Sequence, residues 1–351
     1  MSLALIGASA YLLVFPMLIR QTFTHSLVKN SKIIANHTSL IATTPQTKEV
    51  LKATKNAALN FVASSKRYVK NSYIPIRSQQ EVDQKENALA FQQLTKYATT
   101  KKLYQRPIGE IMQAMAESFL GTPYKAGLLD QSNQETLVVT LNKFDCVMFV
   151  ETVLAIARSV AVQDYSYQTF VAHIRDERYW NGYMNGYCSR LHYFSEWIAD
   201  NQRRGNVQNI TKFLGGAALN KTLNFMSQHR SKYPRLVSNQ ADYKCIVEAE
   251  ANLARLTVDY IPQSQIRHVY AQLQLRDILG ITTKIPGLDI THTGAVYRYS
   301  NGNIGIIHAS PIGKVTILPD LQRYVGNIEN ANGILVVRPI DPRQTTTANR
   351  P

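Results

Sequence analysis

Three side chains in this sequence could together carry out nucleophilic chemistry on a carbonyl: Cys146, His292 and His308. A thiol adds to a carbonyl carbon once a base takes its proton, and a further polar group must hold that base in the right tautomer. Cys146 follows Asp145 and heads the apolar run Val147 to Ala157. Aspartate is a good N-cap, so this run predicts a helix with its free N–H groups and about half a positive charge at the thiol. That position predicts a thiol pKa below the roughly 8.5 of a free cysteine. His292 stands in Gly287-Leu-Asp-Ile-Thr-His-Thr-Gly294, at the start of one strand candidate, and His308 in Ile306-Ile-His-Ala309, at the end of the next. Each alone is what an ordinary buried core also contains. Together they are the set that thiol catalysis requires.

The two histidines can meet only if strand register allows it. Asn301-Gly302 invites a two-residue turn. That turn would put His308 opposite Ala295, on the face away from His292, because side chains alternate with period 2. A pair of facing histidines requires Val296 opposite Ile304 and Gly294 opposite Ile306, with a loop over Arg298 to Gly302 or a bulge of the same parity.

The elements that must position these groups are legible along the chain. Ile108 to Phe119 reads as a helix and Leu137 to Leu141 as a short strand. The stretch from roughly 160 to 270 is helix-rich. Strand candidates follow at Ala295–Tyr299, Asn303–Ala309, Lys314–Leu318 and Gly333–Arg338, separated by turn residues. The expected class is α+β. Of the 351 residues, 45% are hydrophobic and 18% charged, which supports a packed core and excludes global disorder. The net charge of +15 attracts polyanions in general. The basic stretch before residue 105 lacks the interleaved aromatic residues of a single-strand binder, so no nucleic-acid partner is expected. Nucleotide-binding loops and the common metalloprotease and serine-hydrolase motifs are absent. The 3 cysteines form no C-x-x-C pair, and neither a metal nor a cofactor is expected. Cys188 and Cys245 read as two separate buried thiols in preference to a disulfide, which an oxidising compartment and suitable geometry would allow.

Leu3 to Ile19 is an uncharged apolar run, at the lower limit of the roughly 17–25 residues that span a bilayer. It reads as an export signal or a membrane anchor. The chain thus divides into a signal or anchor segment (1–22), a basic helical or linker region (23–106), a catalytic domain (107–340) and a frayed polar tail (341–351).

The order Pro123-Tyr124, Asp145-Cys146, His292-Thr-Gly294, Ile307-His308-Ala309 resembles that of the NlpC-type papain-like peptidases of bacterial cell walls. More closely, the chain resembles the N-acetylmuramoyl-L-alanine amidase-like branch. The branch motifs are Phe119-Leu-Gly-Thr-Pro-Tyr124, Ser189-Arg-Leu-His-Tyr-Phe-Ser-Glu-Trp197, Leu214-Gly-Gly216, Asn224-Phe-Met-Ser227 and Gly287-Leu-Asp289. The resemblance covers roughly 107 to 340. It implies a papain-like fold in which a helical part carries the cysteine and packs on an antiparallel sheet carrying the histidines. It implies Cys146 as nucleophile, His292 as general base and His308 as orienting group. Tyr124 and Asp145 then stand beside the thiol, and Arg190 and His192, in the branch's own insertion, are substrate contacts. Three positions depart from the pattern: Val147 replaces a small residue, Thr293 an apolar one, and Arg276-Asp277-Ile278 stands where Gly-Asp-Ile is common.

The implied activity is hydrolysis of a peptidoglycan amide, muramoyl–L-alanine or stem-peptide, through a thioester. A papain-like acyltransferase acting on lipid and a catalytically silent wall-binding module are the alternatives. A wall substrate requires an exported or periplasm-facing enzyme. Arg20, Lys29 and Lys32 follow the apolar run and none precedes it, a bias toward a cytoplasmic C-terminal side. Three dispersed charges weigh less than the substrate, and export is expected.

Overall fold

In the computed structural model, residues 79–344 are described, Arg276 excepted. The apolar run 3–19, the basic region up to residue 78 and the end of the tail lie outside them. The helices are α1 (Gln79–Thr100), α2 (Ile108–Glu117), α3 (Cys146–Ala161), α4 (Tyr167–Arg178), α5 (Phe194–Arg203), α6 (Phe225–Gln228), α7 (Pro234–Ser238), α8 (Gln240–Leu253) and α9 (Leu321–Gly326). The strands are β1 (Val207–Asn209), β2 (Ala217–Ala218), β3 (Asp259–Pro262), β4 (Ile278–Thr283), β5 (Ile290–Arg298), β6 (Ile304–Ala309), β7 (Val315–Leu318) and β8 (Ala331–Pro339). All strand pairs are antiparallel, in the order β2-β3-β8-β4-β5-β6-β7, with β1 also on β8. The class is α+β, as expected.

Helix α3 is apolar on nearly every face, the pattern of a helix surrounded by protein. Phe149, Leu154, Ile156, Ala157 and Val160 are fully buried. α2, α4, β5 and β6 all pack on it. Each fully buried Leu, Ile, Val or Phe contributes about 1.5–3 kcal/mol, so the thiol-bearing helix is held by its whole length. Its one buried charge, Glu151, is paired at 2.8 Å with Arg178 of α4.

One expectation changes here, and α1 adds to the packing. The compact unit takes in residues from Asp83. Phe91 of α1 is 2% exposed and stacks on Phe170 of α4 at 4.8 Å. Leu137 to Leu141 forms no strand, because side chains satisfy its backbone. Asn87 of α1 donates to the Val139 carbonyl and accepts from the Leu141 N–H, and Arg178 donates to the Val138 carbonyl. At the other end, Arg343 donates to the carbonyls of Tyr104 and Arg106 and holds the start of the tail.

Candidate active site

The head of α3 is joined to the sheet by the Pro-Tyr loop. Tyr124 bridges to Phe144, with the Phe144 N–H donating to the Pro123 carbonyl at 3.0 Å. On its other side the Tyr124 N–H donates to Gly313 and the Val315 N–H to Thr122. These bonds tie the residues just before Cys146 to the turn that follows β6, the strand carrying His308.

Asp145 caps α3 as expected, its carboxylate accepting from the Met148 N–H at 2.8 Å. Burial lifts the Asp145 carboxyl to about 6 against that bond. Cys146 is fully buried, and its thiol differs from expectation: it is pushed up to about 12, not down. Burial is the main cause, and the Asp145 charge adds to it. The backbone N–H of Thr293 and the first N–H groups of the helix pull the other way and do not prevail. Desolvating a thiolate costs more than a half-charge at a helix end returns. The resting group is therefore the thiol. Asp145→Asn keeps a capping acceptor and removes the charge, so it should speed iodoacetamide labelling of Cys146 several-fold at pH 8. At pH 5 the wild-type carboxyl is itself mostly protonated, and the two proteins should label alike. Equal rates at pH 8 would show that the Asp145 charge does not act on the thiol.

His292 on β5 and His308 on β6 are both buried, with Nε2 of His292 2.6 Å from Nδ1 of His308 and the rings edge to face. Burial holds both imidazoles below the ordinary range, His308 at about 4 and His292 well down as well, with the neighbouring His308 adding to the effect of burial. Both are neutral near pH 7. The register that brings them together is neither of those expected. Ala295 pairs with Ile307, Val296 with Ile306 and Arg298 with Ile304. The parity is the required one, so both histidines share a face, but they are diagonal neighbours. The loop runs from Tyr299 to Asn303, closed by Tyr299 N–H to Asn303 and Gly302 N–H to Tyr299, with Gly302 at φ +84°. This is a turn followed by a left-handed glycine rather than the tight Asn-Gly turn. The β5–β6 ladder ends at Ala295–Ile307. Beyond it, the Thr293 N–H faces the Cys146 sulfur.

Tyr324 of α9 completes the group, and no sequence signal marked it. Its hydroxyl lies 3.3 Å from His308 Nδ1, its ring centroid 4.9 Å from that of His308. Its phenol is held above the usual range by burial first and by the nearby Cys146 second.

The branch motifs prove to be ties. Asp289, just before β5, accepts from both the N–H and the hydroxyl of Ser195 at the start of α5. The Gly287 carbonyl receives the N–H groups of Asn224 and Phe225, and a Cβ on Gly287 would come within 2.7 Å of Asn224 Oδ1. Arg190 and His192 are both engaged by other residues of the chain. Arg190 donates to the Leu129 carbonyl and Asp130, and lies over the Tyr187 ring. His192 Nε2 lies 2.9 Å from the Tyr187 carbonyl, and burial depresses the ring to about 3.

Cys188 and Cys245 form a disulfide, not two free thiols, with Cα atoms 5.9 Å apart. Sequence spacing could not show that the turn at Tyr187–Ser189 folds onto α8. The bond closes a loop with a sequence separation of 57. Cys188→Ser with Cys245→Ser should cost about 2–4 kcal/mol in chemical denaturation. An unchanged denaturation midpoint would mean the bond is not formed in the folded protein.

The profile of the AmiA-like, or N-acetylmuramoyl-L-alanine amidase-like, family matches residues 114–334. Among solved structures, an N-acetylmuramoyl-L-alanine amidase from Bacteroides uniformis is 28% identical, with a TM-score of 0.62 over 66% of this chain and 98% of that one. A Bacteroides fragilis protein with the provisional name of xylanase is 29% identical, with a TM-score of 0.58 over 64% of this chain and 99% of that one. Protein LPG0564 from Legionella pneumophila, 21% identical with a TM-score of 0.56, covers 74% of this chain and 96% of its own, and shares the fold. No curated protein is significantly similar to the chain. By the extent of its match, this chain belongs to the N-acetylmuramoyl-L-alanine amidase-like family.

Proposed function

We propose that the protein is a cysteine amidase of the bacterial cell wall, with a papain-like, NlpC-type site, cleaving the muramoyl–L-alanine amide or a bond of the stem peptide. The observation that carries this reading is the buried His292–His308 pair, with the N–H of the next residue, Thr293, facing a thiol that is protonated at rest. Such a thiol needs a base, and a neutral imidazole with a free Nδ1 supplies one. His292 Nδ1 is buried and has no hydrogen-bond partner among the described residues.

In this mechanism His292 Nδ1 takes the thiol proton as Sγ bonds to the amide carbon. His292 Nε2–H donates to His308 meanwhile. The oxyanion that forms is met by N–H groups at the head of α3, with the Tyr124 hydroxyl as a further donor. The C–N bond breaks, the leaving nitrogen takes the proton from His292, and a thioester remains. Water then adds to the thioester, giving its proton to His292. The C–S bond breaks and the thiol recovers that proton.

The family implies the peptidoglycan substrate, and the basic surface suits an anionic wall. The Cys188–Cys245 disulfide supports an oxidising compartment, hence an exported or periplasm-facing protein. The deciding experiment is mass spectrometry of purified muropeptides incubated with wild type and with Cys146→Ala. Release of the intact stem peptide by wild type alone identifies the amidase reaction, and shortened stems a peptidase. Identical products from both proteins would remove the thiol from the reaction.

A further inference from the structure

The histidine pair by itself does not determine where its protons sit. One proton lies between His292 Nε2 and His308 Nδ1, and either nitrogen can own it. If His292 owns it, His292 Nδ1 carries a lone pair and can accept the thiol proton. If His308 owns it, His292 Nδ1 carries a hydrogen and cannot. Both outer nitrogens, His292 Nδ1 and His308 Nε2, are buried without a hydrogen-bond partner among the described residues. The first arrangement leaves an N–H of His308 buried and unpaired, the second an N–H of His292. Such groups cost about 1–3 kcal/mol each, so their costs largely offset and do not choose.

Tyr324 breaks this symmetry. Its hydroxyl lies 3.3 Å from His308 Nδ1, the nitrogen already 2.6 Å from His292 Nε2. The phenol oxygen could also accept from an Nδ1–H, but its own O–H would then lose this acceptor, so the satisfied arrangement has the O–H donating to a lone pair on Nδ1. Two donors then converge on His308 Nδ1, and the tautomer with its hydrogen on Nε2 is stabilised. We infer that Tyr324 is a positioning residue that holds His308 in the Nε2–H tautomer and so keeps His292 Nδ1 free to accept the Cys146 proton.

The groups around the pair allow this role to be read by titration. His308 faces His292 from β5 and Tyr324 from α9, while β7 places Thr316, which does not titrate, opposite it in the ladder. From the head of α3 come Cys146 and Asp145. A donor on the lone pair of a neutral imidazole disfavours its protonation. Removing the hydroxyl therefore raises the pKa of His308. His308 must be neutral to receive the His292 proton, so activity is lost as pH falls through that pKa. The acid limb should move upward.

The inference rests on the thiol mechanism above but not on the identity of the substrate, and its test uses iodoacetamide labelling of Cys146 from pH 4 to 9. Tyr324→Phe should move the acid limb up by about half a unit or more and lower the labelling rate at pH 6 at least about fivefold, the scale of one lost hydrogen bond. A lower rate with an unmoved limb would reduce Tyr324 to a packing role and overturn the inference. Imidazole 15N spectra of the wild type give a reading that needs no variant. They should show His308 protonated on Nε2 and bare on Nδ1, and the opposite tautomer would overturn the inference. If the limb moves as expected but muropeptides are left intact, the substrate reading fails and the role of Tyr324 stands.

Discussion

His292→Ala is expected to lower muropeptide turnover by about three orders of magnitude or more, the range seen when the base of a coupled nucleophile–base set is removed. The thiol of Cys146 is pushed up to about 12, so at neutral pH almost none of it ionises unaided. In an enzyme with a standing thiolate, losing the base would impair mainly the leaving-group step. Here, in the proposed mechanism, it also removes the route by which the nucleophile forms. The variant should therefore lose iodoacetamide labelling of Cys146 along with turnover. His308→Ala leaves the base in place and frees its orientation, so its loss should be smaller. Steady-state kcat/KM and labelling rates on the same preparations provide the check. A His292→Ala enzyme within tenfold of wild type would end the base assignment.

The second large effect is expected at a residue with no side chain. Gly294 stands where the observed register, continued by one pair beyond Ala295–Ile307, sets it opposite His308. A Cβ built there would lie 2.8 Å from Ile306 Cδ1 and 2.9 Å from His308 Cβ. The isoleucine tip can give way. The Cβ of His308 is fixed to its backbone, so relief must come from moving the imidazole or the strand. That same His308 carries the ring whose Nδ1 lies 2.6 Å from His292. Gly294→Ala should thus cost about 1–3 kcal/mol in stability, the usual range for overpacking. It should cost about a hundredfold in kcat/KM, since a displacement near 1 Å in a positioned catalytic group has that effect. Thermal unfolding measured beside kinetics separates the two. Full activity in a folded Gly294→Ala protein would show that the histidines do not depend on this gap.

Much of the site could be read without coordinates because local rules determine it. Asp145 before an apolar run is a capped helix in almost any context, and the cap forms as the residue types require. The alternation in β5 and β6 and the demand that two histidines share a face restricted the register to one parity, which the structure has. The branch motifs at Gly287, Asp289 and Ser195 could be recognised by their order, although their work as ties between the insertion and β5 could not.

What only the tertiary structure decided has one physical origin: burial and long-range approach are properties of the packed chain. The helix end that should lower the Cys146 pKa is present, but packing dehydrates the thiol, and dehydration wins. The diagonal offset of the histidines depends on a loop whose left-handed residue is Gly302, a choice that Asn301-Gly302 leaves open until the strands pair. Leu137 to Leu141 has the composition of a strand and lost it to Asn87 and Arg178, side chains far away in sequence. Cys188 met Cys245 across a sequence separation of 57. Tyr324 reached His308 from a short helix with no motif of its own, because α9 meets β6 only in the packed chain.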